Sequence, residues 1–187
     1  MPEFGLVLLA YLALTLTYSL WLKRQPLIDV LAIGALFTVR VQASVVLTHD
    51  AASVWLSSFA FVLFTSLATA KRHAELVRAR HDKREISGRG YGTEDLPLTL
   101  AVGIAAAALS IIEMLLYLQL DVRHVDLYER VGGLLLIPVV LTSWLMRIWI
   151  KAHRGELHDD PVVFAIKDKV SILHGLAIAI LWLTAVI

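Results

Sequence analysis

The chain has no cysteine. It can therefore form no disulfide, no thiolate metal site and no cysteine nucleophile, although this lack does not fix the compartment. Net charge is also nearly missing, because 17 Lys and Arg against 16 Asp and Glu leave +1. That balance argues for no nucleic acid partner, so the information lies in where the charges sit. The opening Met1-Pro2-Glu3-Phe4-Gly5 lacks the basic n-region and short apolar core of a cleavable signal. The first apolar stretch is accordingly expected to stay in the mature protein.

What is present is apolar surface. A hydrophobic content of 58% over 187 residues, with mean hydropathy +0.74, is too high for a soluble globule of this length and points to an integral membrane protein. Six apolar stretches reach spanning length: Phe4 to Leu22, Leu27 to Leu47, Ala51 to Ala70, Leu96 to Leu120, Val131 to Ile150, and Val170 to Ile187. About twenty residues at about 1.5 Å rise cover the hydrocarbon core of about 30 Å. Each stretch is continuously apolar rather than alternating, which predicts helices that satisfy their own backbone in lipid. The expected fold is an all-α, polytopic membrane helix bundle with six transmembrane helices, forming one transmembrane domain over residues 1–187. No internal repeat is visible.

The charges orient that bundle. Lys23 and Arg24, the group from Lys71 to Arg89, and Lys151, Arg154 and Lys167 occupy three connections on one side, while Arg123 and Arg130 stand on the other. The positive-inside rule then makes the long basic loops cytoplasmic and puts the N-terminus and C-terminus outside, in a multi-pass protein of a bacterial inner membrane. An N-terminus that leads the first span outward suggests that an odd number of upstream helices is absent from this chain.

Two basic connections hold most of the polar chemistry. From Lys71 through Glu85 there is no Gly or Pro, so the third span is expected to continue as a helix into water. On that helix Lys71, Glu75, Arg78 and Asp82 share a face. Such a mixture of acids and bases suits an anionic headgroup with a divalent cation: carboxylates hold Mg²⁺, and Lys and Arg neutralise phosphate oxygens. The plainer reading is two helical ion pairs, Lys71 with Glu75 and Arg78 with Asp82, each worth about 0.2–0.5 kcal/mol. Gly88, Gly90 and Gly92 around Arg89 and Tyr91 form either a mobile lid over an anionic ligand or only a connection. In the second connection His158, Asp159 and Asp160 are candidate cation ligands. Asp160 before Pro161 is equally a helix N-cap.

Inside the spans, Asp29 lies near the cytoplasmic boundary and reads as interfacial. Arg40 and Glu113 both fall toward outer span ends and are expected to pair with each other, while His174 is expected to make an interhelical hydrogen bond. Pro138 should kink the fifth span. Trp21, Trp144, Trp149 and Trp182 read as interfacial belt residues.

Several of these motifs, taken in order, resemble UbiA-superfamily intramembrane prenyltransferases: Lys71-Arg72-His73-Ala74-Glu75-Leu76, Gly88-Arg89-Gly90-Tyr91, and Arg154-Gly155-Glu156-Leu157-His158-Asp159-Asp160-Pro161 through Ala165, with Tyr18 to Lys23, Leu27 to Val30 and Arg40 in support. The likeness is nearest to the decaprenyl-phosphate phosphoribosyltransferase-like and phosphatase-fused branch, and covers that family's C-terminal two-thirds. It implies a nine-helix bundle of which these spans are the fourth to ninth, with two polar motifs flanking a pyrophosphate and metal site. Lys71, Arg72 and Glu75 occupy the second motif, which is richer in aspartate in many relatives. The first, an Asn-Asp motif, is absent, since the chain contains no asparagine.

The resemblance implies a transferase acting on a polyprenyl phosphate or diphosphate, by prenyl or phosphoribosyl transfer, with Mg²⁺, and incomplete as a single chain. Lys71, Arg72 and Glu75 are the expected catalytic residues, and Arg78, Arg89, Tyr91, Arg154 and His158 the substrate-binding ones. Glu75, Asp159 and Asp160 are the expected metal ligands. The expected partners are membrane lipid and a chain carrying the absent N-terminal helices. Two rival readings stand beside it: a non-catalytic polyprenyl-lipid-binding subunit, and a small transporter with Arg40 and Glu113 on its pathway.

Overall fold

The structure is a computed structural model and describes residues 2–48, 53–83, 90–124 and 131–186. Among them every regular element is helical: α1 (Pro2–Leu20), α2 (Ile28–Thr48), α3 (Val54–His81), α4 (Leu96–Leu120), α5 (Val131–Leu134), α6 (Ile137–His153), α7 (Pro161–Lys167) and α8 (Lys169–Val186), with short 3₁₀ turns between some of them. Five helical stretches, 28–47, 54–81, 93–120, 132–153 and 169–186, are long and apolar enough to cross a membrane, and Phe4–Leu20 is a shorter apolar helix. The protein is therefore an integral membrane protein. Leu9, Leu173 and Leu183 are exposed, as the lipid-facing side of a membrane helix is.

Local chemistry explains the element ends. Ser53 caps α3 by accepting from the Leu56 amide at 2.9 Å, and the helix runs on past Ala70 to His81, as the lack of Gly and Pro predicts. It stops before the expected Glu85 because Lys83 turns into the left-handed region at φ 53°, a conformation that ends helices. The fifth expected span is broken rather than kinked. The chain leaves α5 at Leu135–Leu136, and Pro138 sits in the first turn of α6, where a missing amide costs nothing. Asp160 caps α7 by accepting from the Val162 amide at 3.1 Å, which bears out the N-cap reading.

The central helix is α3, packed along α4 and α2, with α1 against α2 and α6 against α3 and α4. Leu67, Ala70 and Ala74 of α3 meet Leu145, Ile148, Trp149 and Ala152 of α6 in one buried cluster. At one end the Gly90 amide donates to the Arg24 carbonyl at 3.2 Å, and Lys71 meets Asp160 at 3.3 Å. The three basic connections are thus joined on one side of the bundle. At the other end, the Ser53 hydroxyl donates to Asp121.

Candidate functional site

Where α3 leaves the apolar layer, successive side chains point to different neighbours. Arg72 turns toward α2 and donates from Nε to Asp29 Oδ2 at 2.8 Å, and from Nη1 to Glu75 Oε2 at 2.7 Å. Asp29 is fully buried and the Arg72 side chain only 4% exposed. Asp29 occupies the first turn of α2, where the helix dipole favours a carboxylate. Its other oxygen, Oδ1, accepts from the Tyr91 hydroxyl at 2.6 Å, and that hydroxyl accepts from the Leu27 amide at 2.7 Å. Leu27 reaches this position with a left-handed φ of 64°, a strained state for a leucine that the surrounding bonds hold in place. Burial pushes the Tyr91 hydroxyl well above the ordinary tyrosine range, and its bond to the Asp29 carboxylate adds to the shift.

Lys71 and Arg78 turn the other way, toward the second connection. Lys71 pairs with Asp160, and both are partly accessible, at 28% and 46%. Arg78 Nη1 donates to the carbonyls of Gly155 and Leu157 at 3.0 and 2.7 Å. Gly155 makes room for this. It ends α6 at φ +71°, and a Cβ there would stand 3.2 Å from Arg78 Cγ. Lys71 and Glu75 therefore meet Asp160 and Arg72, respectively, and the expected pairing between Lys71 and Glu75 gives way to contacts outside that face.

The third direction belongs to His73. It is buried, with Nδ1 3.0 Å from Thr99 Oγ1 and Nε2 3.4 Å from His153 Nδ1. The two imidazoles stack at 5.7 Å between centroids. His153 and Arg154 stand at the mouth of a groove of about 640 Å³ between α4 and α6. Trp149 forms its floor and donates from Nε1 to Ser66 Oγ at 3.1 Å. That burial corrects the belt reading for Trp149. Gly103 is what admits the indole, since a Cβ there would lie 2.1 Å from the ring.

The expected site residues fall into distinct roles. Arg72 and Glu75 join Asp29 on one side of α3 and Lys71 joins Asp160 on another, whereas Arg154, His158 and Asp159 are exposed. Tyr91 is buried and anchors its loop to Asp29. Arg89, with Gly88, lies outside the described residues. Among the described residues no three His, Asp or Glu side chains converge so as to hold a metal ion. Glu75 meets Arg72 at 2.7 Å, Asp159 meets Lys167 at 3.1 Å and Asp160 meets Lys71 at 3.3 Å. The three expected ligands are each occupied by a cation, so they do not fit a ready Mg²⁺ cage.

Two expectations inside the spans change. Arg40 does not pair with Glu113: its Nε donates to the Tyr11 hydroxyl at 3.2 Å, and its guanidinium lies 4.8 Å from the Phe37 ring centroid. Glu113 Oε2 is buried with no hydrogen-bond partner. His174 does bond between helices, with Nε2 3.2 Å from Ser143 Oγ. Reading the sequence alone missed the roles of Asp29, His73 and His153. For His73 a signal existed, because two positions from Lys71 on a helix is about 200° and so a different face.

The chain is 51% identical over 178 residues to an uncharacterised protein, y4nM, of Sinorhizobium fredii, covering 95% of this chain and 34% of that protein. It is 26% identical over 180 residues to nodulation protein NoeC of Azorhizobium caulinodans, covering 93% of this chain and 57% of that one. The chain thus spans about a third of one relative and somewhat over half of the other. No family model and no solved structure matches it.

Proposed function

We propose that this chain forms the second-motif half of a UbiA-type intramembrane transferase acting on a polyprenyl phosphate or diphosphate, by prenyl or phosphoribosyl transfer. One observation carries the reading: a charged cluster, Asp29, Arg72 and Glu75, is built into the end of an apolar bundle beside the accessible Lys71 and Asp160. Buried charge at a membrane boundary is expensive and marks function more often than stability. In this reading the basic side faces the cytoplasm of a bacterial inner membrane. Lys71 meets the phosphate, Arg72 positions Glu75, and Arg89 and His158 supply further donors from the two connections. Cations fixed where phosphate charge develops lower the barrier to transfer. The Asn-Asp half of the site comes from further helices, in the same polypeptide or another; both relatives are longer than this chain. A non-catalytic lipid-binding subunit is the second reading, favoured by the occupied state of all three carboxylates.

The test is titration of the purified protein in nanodiscs with decaprenyl phosphate, with and without Mg²⁺. Lys71→Ala should weaken binding about fivefold, the size of one cation at an anionic surface. Supplying the Asn-Asp helices should give transfer that Glu75→Gln abolishes. A chain that binds no polyprenyl phosphate, and whose Glu75→Gln form behaves identically, overturns the reading.

A further inference from the structure

The groove between α4 and α6 lies away from the Arg72 cluster. Arg72 reaches α2, whereas His73, one residue on, reaches Thr99 of α4 and His153 of α6. The groove runs along α4 from Leu100 to Ile111 and along α6 from Thr142 to Arg154. Eleven positions at 1.5 Å make it about 17 Å long, close to one leaflet of a hydrocarbon core about 30 Å thick. Its walls are apolar, and Ile104, Ala108 and Met146 along it are exposed, so it opens sideways toward lipid. Its basic end differs sharply. There His153 and Arg154 are exposed at the end of α6, and Lys151 beside them is paired with Glu156 at 3.3 Å. An apolar trough one leaflet deep with the Arg154 guanidinium and the His153 ring at its membrane-surface end complements a lipid with an acyl chain and a phosphate, and Arg suits phosphate through its paired donors.

We propose that this groove binds one acyl chain of an anionic glycerophospholipid from the leaflet on the basic side, with Arg154 and His153 at its phosphate. The floor is pre-formed. Trp149 is held by Ser66 and admitted by Gly103, and Ala107 and Ala108 leave the volume that larger side chains would fill. The site is separate from the polyprenyl phosphate reading and stands or falls without it. A bound headgroup would touch His153, whose ring stacks on His73. The lipid would thereby sit one side chain away from the helix that carries Lys71, Arg72 and Glu75.

Delipidated protein in neutral detergent, given phosphatidylglycerol or phosphatidylcholine of matched chains, tests this by native mass spectrometry. Phosphatidylglycerol should be retained about fivefold better, and Arg154→Gln should remove that preference. Ala108→Trp, placed on an exposed groove position, should block both lipids, with Met146→Trp as a second filling variant should the first not fold. Equal retention of the two lipids overturns the proposal, as does an Arg154→Gln form that keeps its preference. Displacement of phosphatidylglycerol by decaprenyl phosphate at lower concentration overturns it too, by giving the groove to the polyprenyl lipid.

Discussion

Asp29 and Arg72 stand 43 residues apart in sequence and 2.8 Å apart in space, with side chains 0% and 4% exposed. The pair fixes the start of α2 against α3. Asp29→Ala leaves the buried Arg72 with Glu75 as counter-charge and takes the acceptor from the Tyr91 hydroxyl, so it should lower stability by about 1–3 kcal/mol. Asp29→Leu with Arg72→Met should recover part of that loss, because an apolar pair replaces the buried ion pair while Glu75 and the Tyr91 hydroxyl each lose a partner. Thermal unfolding of the detergent-solubilised protein measures both, and equal losses in the single and double variants would show that the pairing is not what matters.

Tyr91→Phe removes a hydroxyl with two partners and leaves the Leu27 amide and one Asp29 oxygen without it. The expected cost is about 1–3 kcal/mol. Burial, with the bond to Asp29, raises the Tyr91 pKa in the folded state, so its contribution to stability is complete below the unfolded value of about 10 and is lost as pH rises through the folded one. A stability profile taken from pH 8 upward should therefore fall less steeply for Tyr91→Phe than for the parent.

Asp168 gives the opposite dependence. The Arg147 guanidinium, bonded to both carboxylate oxygens at 2.6 and 2.9 Å, holds the Asp168 pKa below the usual carboxylate range, and the Ser171 amide and hydroxyl add to this. Its contribution is present above the unfolded value of about 3.9 and is lost as pH falls through the folded one. Asp168→Asn should cost about 1.5–3 kcal/mol at pH 7, the range for hydrogen bonds to charged groups, and should flatten the acid limb of the unfolding profile.

Gly103→Ala would place a methyl group 2.1 Å from Trp149. The indole must shift and give up Ser66, at a cost of about 1–3 kcal/mol for overpacking. The intrinsic fluorescence of Trp149 should change with it. In a background with Trp21, Trp55, Trp144 and Trp182 replaced by Phe, an unaltered spectrum would contradict the packing.

Much of the architecture could be read from the sequence because lipid imposes simple rules. The α4 boundaries fall at Leu96 and Leu120 as expected, since both ends are marked by charge and the stretch between is apolar apart from Glu113. The Asp160 cap was legible for a similar reason: N-cap chemistry is local. The destination of a charge inside the bundle is not local. Asp29 read as interfacial because its partner lies in another helix, and Arg40 was matched to Glu113 on depth alone although Tyr11 and Phe37 were the neighbours the fold provides. The break at Leu135–Leu136 was displaced from Pro138 because proline is as welcome in a first turn as it is disruptive in a helix interior.

The two oxygens of Asp160 are engaged separately, Oδ1 by the Val162 amide and Oδ2 by Lys71. An incoming anion can thus relieve Asp160 of Lys71 without unseating α7, because the oxygen that starts that helix is not the one given up. In the proposed function, Lys71 would turn to a phosphate at the loss of one partly exposed contact, and the start of α7 would stay in place.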